Sequence, residues 1–151
     1  MKKSTRTIDK LEQLIQENIY EQSAARVGVC TGLMNCAKLD EMAKDDLVRV
    51  GITPDLYYKT RDDITNRGDR MAAAKYYSQF IQVQFYNMHH TVDGLYIIPV
   101  ECSLHNSVKH IGGSFIINRR KIKLLEQQLQ QEQKEEQQEN EHLNAVLDDI
   151  M

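Results

Sequence analysis

The sequence has no tryptophan and only three cysteines, and each scarcity excludes something. Cys30, Cys36 and Cys102 are odd in number and have no CxxC spacing, which argues against a disulfide framework and against a zinc knuckle. Cys102 reads as a small buried thiol rather than a ligand. Without tryptophan, tyrosine supplies most of the aromatic surface. No apolar run approaches the length of a membrane span, and no hydrophobic signal segment follows Met1-Lys2-Lys3. The expectation is a soluble protein made in the cytoplasm, without a membrane partner, delivery into a target cell being left open. Excess positive charge is missing too. A net charge of −3 and a pI near 5.9 argue against a non-specific nucleic-acid binder. The distribution softens this, because acidic residues concentrate in the C-terminal tail. Arg61, Arg67, Arg70 and Lys75 precede the most informative stretch, and Lys109, Arg119, Arg120, Lys121 and Lys123 follow it. They form either a basic rim or ordinary solvated helix faces.

That stretch is Gln82 to Ile117, which holds four of the five histidines: His89, His90, His105 and His110. Apolar and polar residues alternate from Phe80 to Tyr86, the period of a half-buried strand, and His89 and His90 sit where it ends. Asp93-Gly94 is a turn signal and Leu95 to Ile98 a short apolar strand, so the pair lies at one end of a hairpin. Pro99 closes the second strand and suits a first helical turn, so Glu101 to about Lys109 reads as one short helix carrying His105. His110 lies five residues further on, about 500° of helical rotation, so the two rings would diverge by about 140° on a continuous helix. For them to share a ligand the helix must end near Lys109, and Gly112-Gly113 supply the unwinding.

The string Met88-His89-His90, Asp93-Gly94, Ile97-Ile98-Pro99 and Leu104-His105-Asn106 through His110-Ile111-Gly112-Gly113 resembles the HNH (His-Me finger) nucleases. The likeness is to the WHH/LHH branch found among polymorphic toxin nucleases, and it covers about a quarter of the chain. Met88 stands where that branch often has Trp or Leu. The resemblance implies a ββα-metal motif in which His89, His105 and His110 hold one divalent ion (Mg²⁺, Mn²⁺, Ni²⁺ or Zn²⁺). His90 would be the general base, and Asn106 would orient a ligand or contact phosphate. It also implies phosphodiester hydrolysis of nucleic acid, DNA ahead of RNA, and, for a toxin, an immunity protein as partner. The division of labour suits the chemistry: a neutral imidazole deprotonates water, and a divalent ion absorbs charge on the phosphate. The alternative is a non-catalytic binding or assembly protein whose histidines hold a structural metal or none.

Around this block the chain reads as α+β, with a helical N-terminal region over 1–66, the nuclease-like core over 67–118 and a Gln/Glu-rich C-terminal helix over 119–151. Ile8, Leu11, Ile15 and Ile19, widened by Leu14, predict an amphipathic helix packing on this chain or a second copy. Residues 22–50 read as a less regular helical region interrupted by Gly28 and Gly32, with Gly51 as its stop. Thr53-Pro54-Asp55 looks like a new helix start, which raises a helix-turn-helix, although core packing is the better reading. Asn66 to Asp69 reads as a turn before a helix over Arg70–Tyr77. In the tail, Ile122, Leu125 and Leu129 are heptad-like, and Leu143, Val146, Leu147 and Ile150 form a second stripe suited to a partner or a sister subunit. His142 is a solvated tail residue. No internal repeat is visible.

Overall fold

A computed structural model describes residues 6–150. The elements follow in the order α1 (Thr7–Ala25), α2 (Val29–Arg49), β1 (Tyr58–Lys59), α3 (Asn66–Tyr77), β2 (Tyr86–His90), β3 (Tyr96–Glu101), α4 (Cys102–Ser107) and α5 (Gly113–Ile150). The fold is α+β and mostly helical, with a small antiparallel sheet and a long C-terminal helix, as expected. None of the described helices is long and apolar enough to cross a membrane.

Helix α2 is more regular than its glycines led us to expect. Gly28 stands at its N-cap, and Gly32 lies inside it, where an added Cβ would come within 2.7 Å of Ile111. Leu39, Ala43 and Leu47 form one buried face, and Gly51 ends the helix region with φ of 81°. The next turn, Pro54–Leu56, is a single 3-10 turn rather than a helix, because the chain passes directly into β1. The helix-turn-helix therefore falls.

Helix α3 begins earlier than expected. Thr65 caps it by accepting from the Gly68 amide at 3.0 Å, so Asn66 to Asp69 are its first turn. Strand β2 begins later, at Tyr86, and Val83–Phe85 is another 3-10 turn. Tyr86 pairs with Glu101, the last residue of β3, so the residues before it have no strand to bond. Phe85 stays 60% exposed, although the strand period would have buried it with Val83.

The sheet order is β1-β3-β2, with His89 opposite Ile98 and His90 opposite Ile97. Pro99 lies inside β3 rather than closing it. Strand β1 reaches only Ile97, so Pro99 has a paired strand on one side, where the missing N–H is tolerated. Consequently α4 begins at Cys102 and ends at Ser107, shorter than the Glu101–Lys109 helix expected. The core joins Leu39, Ala43 and Leu47 of α2 to Ala73 and Tyr77 of α3 and to Ile97, Ile98 and Val100 of β3. Tyr77 closes it by donating its hydroxyl proton to the Ile97 carbonyl at 2.6 Å and accepting from the Tyr58 amide at 2.8 Å.

Helix α5 starts at Gly113, before the change of composition at Asn118, so Gly113 opens a helix rather than unwinding one. A Cβ there would sit 1.8 Å from the Thr91 carbonyl oxygen, so only glycine lets α5 abut the end of β2. Helix α1 runs antiparallel along α5. Thr7 donates to Glu132 at one end (2.7 Å), Ser114 to Glu21 at the other (2.6 Å), and Asn118 to Asn18 between them (2.9 Å). The seam on α1 is Thr7, Leu11, Leu14 and Asn18; Ile8, Ile15 and Ile19 are exposed, contrary to the stripe predicted. Thr7 and Asn18 take seam positions because each finds a hydrogen-bond partner on α5.

Candidate metal centre

Asn87, His89 and His90 lie on β2, His105 on α4, and His110 on the segment between α4 and α5. That segment is held down by Ile111, whose amide donates to the Gly32 carbonyl at 3.0 Å and whose side chain fills the space above Gly32. The helix break expected between His105 and His110 is present, and it brings their rings together. The imidazoles of His89, His105 and His110 stand mutually edge-to-face, with centroids 5.4, 5.3 and 4.7 Å apart. One nitrogen of each lies within 4.8 Å of the others.

One nitrogen of each ring is engaged by a neighbouring group. Asp40 of α2, buried, takes His89 Nε2 at 2.7 Å with one oxygen and accepts from the Val92 amide at 2.8 Å with the other. His110 Nδ1 donates to the Val108 carbonyl at 2.7 Å. The Asn87 amide meets His105 Nδ1 at 3.1 Å, and only a Cys102 thiol contact at 3.8 Å favours the orientation with nitrogen toward the ring. A half-turn of that amide lets Nδ1–H donate to its oxygen. His89 Nδ1 and Nε2 of the other two rings are then free for a metal, the arrangement by which outer groups fix the tautomers of ligating histidines.

Electrostatics fit as well. Burial pushes His105 down to about 4, with His110 and His89 adding to the effect and an Asn106 hydrogen bond opposing it. Burial also lowers His110. Both present uncharged rings at neutral pH, the form that binds a cation. Cys36, Asp40 and His89 make a second group of suitable spacing. Burial raises the Cys36 thiol well above its ordinary range, so it stays protonated, and the Asp40–His89 pair already satisfies itself. Asp40 therefore supports His89 in the three-histidine cluster, and Cys36, Asp40 and His89 stay a second set of residues that could hold an ion.

Asp40 was not among the residues singled out from sequence. The signal was present: with Cys36, Leu39, Ala43 and Leu47 at helical spacing, Asp40 lies inside a buried stripe, and a buried carboxylate needs a partner.

His90 is buried, and its Nε2 has no hydrogen-bond partner among the described residues. Burial, reinforced by the charge of Arg70, lowers it to about 3. His90 lines the same cleft as the three-ring cluster, a space of about 720 Å³. Asn106 is exposed at its edge. Of the basic residues expected as a rim, Arg67 and Arg70 line the cleft. Arg61 and Arg120 are instead paired with Asp63 and Asp62, each at 2.7 Å. Comparison with protein-family models, with curated proteins and with solved structures finds no match.

Proposed function

We propose that this protein is a metal-dependent nuclease of the HNH type that hydrolyses phosphodiester bonds. The observation that carries the reading is the cluster of His89, His105 and His110, each bringing a ring nitrogen within 4.8 Å of the others, while Asp40 and the Val108 carbonyl fix the rings of His89 and His110. A hairpin running into a short helix, with histidines on both, supports taking β2, β3 and α4 as the ββα-metal unit. One divalent ion held by these rings would supply Lewis acidity at the phosphate and its leaving oxygen. His90 is assigned the general base: the residue lines the cleft, and its buried, unpartnered Nε2 is uncharged at neutral pH. Contact with solvent and substrate in the cleft would bring its basicity nearer the working range. Asn106, exposed beside His105, is assigned to phosphate contact. DNA is the first substrate to try, and a toxin role with an immunity partner belongs to the same proposal.

The test is cleavage of plasmid DNA and of a structured RNA with Mg²⁺, Mn²⁺, Ni²⁺, Zn²⁺ or EDTA. His90→Ala should abolish cutting while leaving metal affinity, measured calorimetrically, unchanged; a His90→Ala protein that still cuts sinks the base assignment. His105→Ala should weaken metal binding.

One observation favours the assembly reading as a companion. Leu143, Val146 and Ile150 continue, after two heptads, the spacing of Ile122, Leu125 and Leu129, and residues 130–150 are all exposed. The face that packs on α1 therefore runs on uncovered, as a helix meant for another helix does.

A further inference from the structure

The histidine cleft adjoins a second and larger space. A trough of about 1060 Å³ lies between α1, the 62–67 segment and α5, and it shares Glu21, Arg67, Arg70 and Ser114 with the cleft. Arg67 and Arg70 are three residues apart in the first turns of α3, hence on one helix face. Among the described residues neither guanidinium has an ion-pair or hydrogen-bond partner. Unpaired arginines at the mouth of a cleft are suited to planar, bidentate recognition of phosphate.

The acids nearby are already engaged. Asp62 and Asp63 are paired with Arg120 and Arg61, Glu21 accepts from Ser114 at 2.6 Å, and Glu17 accepts from Asn118 at 3.4 Å. Glu21 and Glu17 keep their charge against these neutral donors, so the junction itself, with Arg67 and Arg70 beside Glu21, carries one net positive charge. Beyond it the trough has an apolar floor of Leu14, Leu124 and Leu125, and Tyr20 on its wall is 74% exposed. A duplex offers such a floor only phosphates and groove edges. A single strand can lay unstacked bases on it and on an aromatic ring.

We propose that the trough binds a single strand of nucleic acid leaving the histidine cleft, with Arg67 and Arg70 each on a backbone phosphate at the junction and Tyr20 against a base. The proposal rests on the nuclease reading only for where that strand is cut.

The experiment is fluorescence anisotropy in EDTA, with labelled single-stranded DNA, the same sequence as RNA, and the DNA duplex. Wild-type protein should bind at least one single strand several-fold more tightly than the duplex. Arg67→Gln/Arg70→Gln should weaken that binding about tenfold or more and flatten the salt slope by about 1.4, the value for two phosphate contacts on a single strand. Tyr20→Ala should weaken it about fivefold or more without changing the slope. Arg67→Lys/Arg70→Lys should keep the slope, separating lost charge from lost folding. Unchanged affinity and slope in the glutamine variant, or a duplex bound as tightly as the single strand, overturns the proposal. Metal-dependent cleavage is measured in parallel. Protein that cuts but binds without needing the arginines refutes the trough alone, and protein that binds through them but cuts with no metal refutes the nuclease reading alone.

Discussion

Replacing Asp40 by asparagine tests the metal centre at a residue that touches neither metal nor substrate. The Asp40 carboxylate accepts from His89 Nε2 in a buried contact and from the Val92 amide in a part-buried one. Asp40→Ala would strand both donors at about 1–3 kcal/mol each, a total of about 2–6 kcal/mol against a domain stability of about 5–15 kcal/mol. That variant risks unfolding. Asp40→Asn keeps the size and one acceptor, which the Val92 amide can use. The amide nitrogen then faces His89 Nε2, and the pair is satisfied only if the ring proton moves to Nδ1, the nitrogen needed for the metal. The expected result is a loss of about 10–100-fold in affinity for Ni²⁺ or Zn²⁺, about 1.4–2.8 kcal/mol, with a smaller change in thermal stability. Calorimetric titration of metal-free protein, with His105→Ala as a direct-ligand control, reads it. Wild-type affinity in Asp40→Asn would refute both the tautomer argument and the assignment of Nδ1 as the ligating atom.

The pH dependence of stability follows from the same burial. His90 is held at about 3 in the folded protein and titrates near 6.5 when unfolded, so the unfolded chain binds more protons between these values. Its contribution is complete above about pH 6.5 and is lost as pH falls, by up to about 1.4 kcal/mol per pH unit. His105, held at about 4 but half-buried, adds less. Chemical denaturation in EDTA from pH 7.5 to 4.5 should show this decline, and a flat profile would contradict the burial of His90. Gly113→Ala places a methyl 1.8 Å from the Thr91 carbonyl and should cost about 3 kcal/mol or more, the upper range for overpacking; a near-native melting temperature would contradict the close approach of α5 to β2. Removing residues 133–151 should lower self-association or partner binding in sedimentation experiments while leaving cleavage intact, and an unchanged sedimentation profile would assign the exposed stripe no role in assembly.

Much of the architecture was legible in local pattern. The Asp93-Gly94 turn forms as expected: Gly94 takes a φ of 71° and its amide donates to the Thr91 carbonyl at 2.8 Å. Gly51 stops its helix as expected. The misreadings arise where tertiary context decides. Nothing local shows that β1 gives out at Ile97, and that early end is what admits Pro99 into β3. Nor does Phe80–Tyr86 reveal that no strand lies opposite its first residues. On α1, counting only apolar residues selected Ile8, Ile15 and Ile19, whereas the seam uses Thr7 and Asn18, polar residues whose partners lie about a hundred residues away on α5.

The site divides along the same line. His89, His105 and His110 lie in one short block and were grouped by its resemblance to a nuclease family, whereas Asp40 reaches His89 across forty-nine residues and shows itself only as an acid in a buried helical stripe. The core, built from Leu39, Leu47, Tyr77, Ile97 and Val100, contains none of the clustered histidines, so its burial does not depend on a metal. One ring nitrogen each of His89 and His110 is fixed by groups belonging to that frame: a buried carboxylate on α2 and a backbone carbonyl. A small zinc-dependent domain recovers its folding energy from the ion. Here the geometry is set beforehand, so metal-free protein should give a cooperative melt, and metal should raise the midpoint by the mass-action amount set by its affinity rather than create the fold. Metal-free protein that melts without cooperativity would show that the cluster organises the fold, reversing this order of cause.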